Sequence, residues 1–276
     1  MIIASKKETF RILNENNLIA KKGYGQNFLI NYDVIKTIVN KSGINKKTLV
    51  IEIGPGLGAL TQELLNVSEK VIAIEIDKNM VAVLNKELDN EKLTVINEDF
   101  LKIDLNRLIE ENNEFEEVMI ISNLPYYITS DILEKIIALK NPRIKKIVAM
   151  MQKEVGKKLL KKEDKIESYL KVLIDNYCLV EPLMYVSKND FEPRPKVDSM
   201  VLTFNLIKDQ YKLTIEHLKL IKECLNNRRK TLLNTLPFDK EQITMILDGL
   251  QIKQTIRIEE LTIKEIIKII ESFNIN

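Results

Sequence analysis

Thr48-Leu49-Val50-Ile51-Glu52-Ile53-Gly54-Pro55-Gly56-Leu57-Gly58 runs a short apolar stretch straight into a glycine-rich turn. The apolar half reads as a buried strand. Past the turn, apolar residues recur at Leu60, Leu64 and Leu65, the spacing of a helix. Strand, glycine turn and helix open a nucleotide-binding βαβ unit, in which the glycines let the backbone bend sharply and approach a ligand without a Cβ in the way. The spacing here is E-x-G-x-G-x-G, not the G-x-G-x-x-G of dinucleotide binders, and Pro55 lacks an N–H that a pyrophosphate would use. The turn therefore points away from NAD and toward a nucleoside without phosphates, of which S-adenosylmethionine is the commonest.

Toward the C-terminus, three further strands deliver polar groups to the same kind of edge. Val71 to Ile76 ends in Glu75, which stands 21 residues after Gly54, close to the spacing of the acid that grips ribose hydroxyls. Asp77 reads as the cap of the next helix. Leu93 to Ile96 leads to Asp99, an acid placed to accept from an adenine amine, although the whole neighbourhood is acidic and a surface acid reads as well. Val118 to Ile121 ends abruptly in Ser122-Asn123-Leu124-Pro125-Tyr126-Tyr127. An amide oxygen and a nearby carbonyl can accept both N–H bonds of an exocyclic amine while Tyr126 stacks on the ring; a turn that happens to contain Asn and Tyr is the plainer alternative.

Residues 5 to 22 read as a helix with a basic face, and Gly23-Tyr24-Gly25-Gln26-Asn27-Phe28-Leu29 as an ordered loop able to fold over a ligand, with Asn31 or Asp33 capping a helix that runs to Val39. Ser130 to Lys140 is read as a helix, Arg143 to Met151 as a strand, and Lys153 to Lys162 as a basic helix. An apolar run follows from Tyr177 to Val186. Phe191-Glu192-Pro193-Arg194-Pro195-Lys196-Val197-Asp198-Ser199 is a loop stiffened by two prolines, in which Phe191 offers a second stacking surface or plugs the core. A last strand ends near Leu206. Helical periodicity then dominates, so the expected division is an α/β domain over 1–206 and a small all-helical domain over 207–276.

Composition narrows the chemistry. The chain has one histidine and two distant cysteines, Cys178 and Cys224, so neither a histidine base, a zinc site nor a disulfide framework is expected. No apolar run is long enough to span a membrane and no signal-peptide core is seen, so a cytoplasmic location is expected. The net charge of +2 conceals a segregation: Glu87–Glu117 holds eleven acids against three bases, and Lys140–Lys162 nine bases against one acid. Such a basic block, and a second knot at Arg228-Arg229-Lys230, is either a solvated surface or a phosphate-backbone footprint.

Taken together, Gly25–Leu29, Glu52–Gly58, Asn123–Tyr127, Gln152-Lys153-Glu154-Val155, Phe191–Ser199 and Asn227-Arg228-Arg229-Lys230-Thr231-Leu232 resemble, in order, the motifs of the small-subunit ribosomal RNA adenine dimethyltransferases. The resemblance implies a Rossmann-like S-adenosylmethionine-dependent methyltransferase fold, with a seven-stranded, mostly parallel sheet and a helical C-terminal rRNA-binding domain. It implies dimethylation of N6 on two adjacent adenosines near the 3′ end of small-subunit rRNA. By motif position, Asn27, Leu29, Gly54, Gly56, Glu75, Asp99 and Asn123 would hold the donor, and Asn123, Leu124, Tyr126 and Phe191 the target base. The expected partner is the immature small subunit, met by a monomer through residues 140–162 and 228–230. Two alternatives stand beside this: the related large-subunit rRNA adenine methylase of the antibiotic-resistance type, and a non-catalytic assembly or transcription factor on the same scaffold.

Overall fold

The structure, a computed structural model, describes residues 1–21, 23, 25–161, 165–207 and 209–273. Tyr24 of the expected loop and Lys162 of the expected basic helix lie outside the described residues. In chain order the elements are α1 (Lys6–Glu15), β1 (Phe28–Leu29), α2 (Tyr32–Ser42), β2 (Thr48–Ile53), α3 (Ala59–Val67), β3 (Lys70–Glu75), α4 (Lys78–Glu87), β4 (Leu93–Asn97), α5 (Leu105–Glu110), β5 (Glu117–Asn123), α6 (Thr129–Ala138), β6 (Ile144–Gln152) and α7 (Lys153–Leu160). There follow α8 (Tyr169–Tyr177), β7 (Cys178–Val186), β8 (Phe191–Glu192), β9 (Ser199–Leu206), α9 (Ile215–Asn226), α10 (Lys240–Gly249) and α11 (Ile263–Glu271).

Contacts divide the chain into two compact units: residues 1–160 with 178–207, and residues 161–177 with 208–276. The first is built on a seven-stranded sheet of order β4-β3-β2-β5-β6-β9-β7. β4 through β6 pair in parallel, and β9 runs antiparallel to both β6 and β7. All six residues of β2 are buried, as a central strand covered on both faces requires. Local signals set the helix ends: Asn31 caps α2 by accepting from Asp33 N, Gly43 ends it at φ +82°, and Asp77 caps α4 by accepting from Asn79 N. The chain leaves β2 toward β3 and β4 on one side, then returns to place β5 on the other. The point where strand order reverses therefore lies between β2 and β5, and their C-terminal ends frame the crevice where open α/β sheets bind ligands.

The second unit is helical, with α8 and α11 packed beside α9. Capping boxes start α9 at Thr214/His217 and α11 at Thr262/Glu265. The single histidine is thus a buried capping residue. This unit also takes in residues 161–177, including α8, which the expected division at 206/207 places in the α/β domain.

Candidate nucleoside and base site

The turn after β2 bends as its glycines allow. Gly54 and Gly56 have φ of +66° and +57°; a Cβ on Gly54 would stand 3.4 Å from the Pro125 ring and one on Gly56 3.2 Å from the Phe28 ring. Side chains there would crowd the cleft walls and strain the backbone. Gly54 N–H is bound to Ile74 O at 2.9 Å and Gly56 N–H to Glu75 Oε2 at 3.2 Å, so the turn is tied to β3. Ser122 Oγ donates to Ile53 O, tying β5 to the same turn.

The cleft bounded by these segments encloses about 1070 Å³ of space between atoms, counting its open mouth. Asn27, Leu29, Gly54, Gly56, Glu75, Asp99, Asn123, Leu124 and Tyr126 all line it. Residues distant in sequence are thereby gathered at one sheet edge: Asn123 Nδ2 lies 3.5 Å from the O of Asn27, 96 positions away. Asn123 Oδ1 is buried and has no hydrogen-bond partner among the described residues. Tyr126 is half-buried, and its hydroxyl shares a 2.6 Å hydrogen bond with Ser199 Oγ, which fixes the ring. Burial pushes that phenol upward, against the opposing effect of the Ser199 bond.

Phe191 departs from the expected arrangement. It is 2 % exposed, sits in the hydrophobic core beside Phe28 and Leu29, and does not line the cleft. The reason is the short ladder β1·β8, which pairs Leu29 with Phe191 and draws the ring inward. As the protein stands, Phe191 plugs the core instead of offering a second stacking face, and it lies opposite Leu29 in the ladder.

Several residues that sequence reasoning left without a role belong to the site. Glu52, the first letter of the E-x-G-x-G-x-G stretch, is buried and lines the cleft, and its Oε2 has no hydrogen-bond partner among the described residues. Burial pushes its carboxyl up to about 8, with the charge of Glu75 adding to the effect. Burial also raises Glu75, opposed by hydrogen bonds from the Asp77 and Gly56 N–H groups. Asp77 goes the other way. Burial would raise it, but Lys21, the Asn79 N–H and Gln26 together hold it below the ordinary carboxylate range. Lys21 Nζ is 2.9 Å and Gln26 Nε2 3.1 Å from Asp77 Oδ2, so the loop before β1 is pinned to the helix cap that follows Glu75. Lys135 of α6 donates to Phe100 O, Leu101 O and Ile103 O, clamping the turn that follows Asp99. The E of the glycine motif was a readable signal for Glu52; the other partners come from distant stretches and left none.

The cleft is rich in buried acceptors (Glu52, Glu75, Asn123 Oδ1) beside a glycine cradle. The ligand it suits is positively charged and rich in donors: an ammonium group, ribose hydroxyls and an adenine amine. The family model described as ribosomal RNA adenine dimethylase matches residues 17–274. The chain belongs to the ribosomal RNA adenine dimethylase family. Its methyl donor is S-adenosylmethionine, which fits that donor pattern. The chain is 40 % identical over 257 residues to the ribosomal RNA small subunit methyltransferase A of Mycoplasma mycoides, covering 91 % of this chain and 96 % of the relative. It is 36 % identical over 279 residues to the protein of the same name from Lachnoclostridium phytofermentans, covering 97 % and 96 %. Among solved structures it is similar to a dimethyladenosine transferase from Plasmodium falciparum, with a TM-score of 0.70 and 25 % identity over 90 % of this chain and 97 % of that one. A 23S rRNA methyltransferase shares the fold at a TM-score of 0.62 and 22 % identity, over 90 % of this chain and all of that one.

The described part of the expected basic block, residues 140–161, is not one surface. β6 separates its ends by nine residues, about 30 Å. At the far end Arg143 donates to Ile109 O, Asn112 O and Phe115 O, Lys145 to Pro142 O and Lys146 to Ser42 O. These cations lock strand and helix ends together. Those near the site edge are on α7, where Lys157 and Lys158 are exposed.

Proposed function

We propose that this dimethylase acts on small-subunit rRNA, placing two methyl groups on N6 of each of two adjacent adenosines in the 3′-terminal hairpin loop, during small-subunit biogenesis. Two 36–40 % identical relatives that bear the small-subunit name support this target over large-subunit RNA. The likeness to the 23S enzyme concerns the fold alone. An intact glycine turn, Glu75 and Asn123 around one cleft support an enzyme over a non-catalytic factor.

The observation that carries the chemistry is the buried, unpartnered Asn123 Oδ1 at the end of β5. An adenine amine is a poor nucleophile because its lone pair is delocalised into the ring. Asn123 Oδ1 and the Leu124 carbonyl accept its two protons in hydrogen bonds, draw the nitrogen toward a tetrahedral shape and aim its lone pair at the donor. Bound S-adenosylmethionine supplies an electrophilic methyl whose bonding pair departs with the sulfur. The methylated nitrogen is then acidic enough to lose its proton to water, so no side chain need act as a base. Tyr126, fixed by Ser199, stacks on the flipped base, a contact worth roughly 1–3 kcal/mol. Glu75 holds the ribose, Asp99 the adenine amine of the donor, and Asn27, Leu29, Gly54 and Gly56 line its bed. Positioning supplies most of the acceleration.

Exposed Arg228, Arg229 and Lys230, with exposed Lys157 and Lys158 of α7, are the proposed phosphate contacts. The enzyme works as a cytoplasmic monomer. Among the described residues no helix is long and apolar enough to cross a membrane. The deciding experiment incubates the protein and labelled donor with immature small subunits and with naked large-subunit RNA, then maps methylated nucleotides. Methyls on two adjacent adenosines near the small-subunit rRNA 3′ end are expected. Methyls on large-subunit RNA alone would overturn the reading.

A further inference from the structure

Tyr185 is a large aromatic side chain left 61 % exposed near the end of β7. An exposed tyrosine is ordinary by itself. Its placement is not. β7 runs antiparallel to β9, which runs antiparallel to β6, so β7 points the same way as the parallel strands and its end shares their C-terminal edge. Val186 pairs with Ser199, the residue that anchors Tyr126, and Tyr185 pairs with the next residue, Met200. Opposed residues of an antiparallel pair have Cα atoms about 4.5–5.5 Å apart. Tyr185 therefore stands one register step from the anchor of the proposed base-stacking ring, at the same edge of the sheet but with its side chain on the opposite face.

One face of its ring is already occupied. Lys153 Nζ lies 5.3 Å from the ring centroid, and Lys153 is itself held in place, with Nζ 3.8 Å from Asp198 Oδ2 and its N–H bound to Asp198 O at 3.0 Å. Exposed Arg194 and Lys196 stand on the loop leading into β9. An exposed ring backed by a held cation, at an edge whose neighbouring loop carries further cations, combines a stacking surface with phosphate attraction.

From this geometry we propose that Tyr185, backed by Lys153, is a stacking platform for a nucleobase that flanks the target adenosine. This rests on the rRNA reading above and adds a second base-recognition point to it. The open ring face takes the flanking base, which holds the strand in register while the target is turned into the cleft beside Tyr126.

The test compares the parent protein with Tyr185→Ala and Tyr185→Phe, measuring affinity for immature small subunits together with KM and kcat of methyl transfer. Donor affinity and thermal unfolding serve as folding controls. Tyr185→Ala is expected to weaken binding and raise KM about tenfold, with kcat, donor affinity and melting temperature little changed, and Tyr185→Phe to restore parental values. An alanine variant within twofold of the parent, or a phenylalanine variant as impaired as alanine, overturns the platform. Should the parent bind subunits without methylating them, the proposed function fails while the platform is still judged by affinity. If the parent does not bind them at all, both fall.

Discussion

Asn123 places a buried amide oxygen, without a partner among the described residues, beside a cleft that otherwise gathers carboxylates, and an orphaned acceptor of this kind costs stability unless a ligand completes it. Glu52 carries a related tension. With its carboxyl raised to about 8, the folded chain binds a proton there across a range where the unfolded chain does not. Stability contributed by the protonated form is complete below the ordinary carboxylate pKa and declines as pH rises toward 8. Unfolding by denaturant at pH 5 and pH 8 is expected to show the parent losing up to a few kcal/mol more than Glu52→Gln over that interval. Equal losses would show that Glu52 ionises normally. Phe191 gives a second test. As a core plug, its replacement by leucine is expected to cost under about 2 kcal/mol and to leave KM for rRNA within a fewfold of parent. A large rise in KM with stability intact would restore the ring to the base site.

At the level of elements, the loop before β1 is held by the Lys21–Asp77 ion pair and the Gln26–Asp77 hydrogen bond. Asparagine can still cap α4 but offers Lys21 no charge, so Asp77→Asn separates the two roles. The expected result is a severalfold loss of donor affinity in calorimetry with little change in melting temperature; unaltered affinity would show that the loop does not shape the cleft. Gly58 is a firmer constraint, because at φ +87° a Cβ would lie 2.6 Å from Leu88 and 2.9 Å from Leu84. Gly58→Ala is expected to destabilise the fold by about 1–3 kcal/mol, read from denaturant midpoints. Strands were the legible elements. β2 was read over Thr48–Ile53, the span observed, because a central parallel strand must be apolar along its length. α8 was missed because Tyr169–Tyr177 is buried at most of its positions, Lys171 and Asn176 among them, so burial there does not follow polarity. What sequence could not convey was pairing: nothing local shows that Leu29 lies opposite Phe191, and that pairing decides where the ring points.

For the molecule as a whole, charge counting along the chain misjudged the basic surface, since it ignored that β6 carries the two halves of the 140–162 block to opposite edges. The cleft was read better, because parallel strands of an open sheet must end at one edge, where the glycine turn after β2 meets the polar residues that follow β3, β4 and β5. Binding of rRNA is expected to show a steep salt dependence. Replacing Arg228, Arg229 and Lys230 together by alanine should lower the slope of log affinity against log salt by about 3, roughly one per phosphate contact. An unchanged slope would remove the knot from the interface.

The central claim is that the Asn123 side-chain oxygen activates the target amine. Single-turnover transfer from labelled S-adenosylmethionine to saturating immature small subunits tests it most directly, comparing the parent with Asn123→Ala at saturating donor. The expected result is a fall in rate of about a hundredfold or more, the usual cost of one preorganised transition-state contact, with subunit binding retained. A rate within a fewfold of the parent, at full occupancy of both substrates, would contradict it.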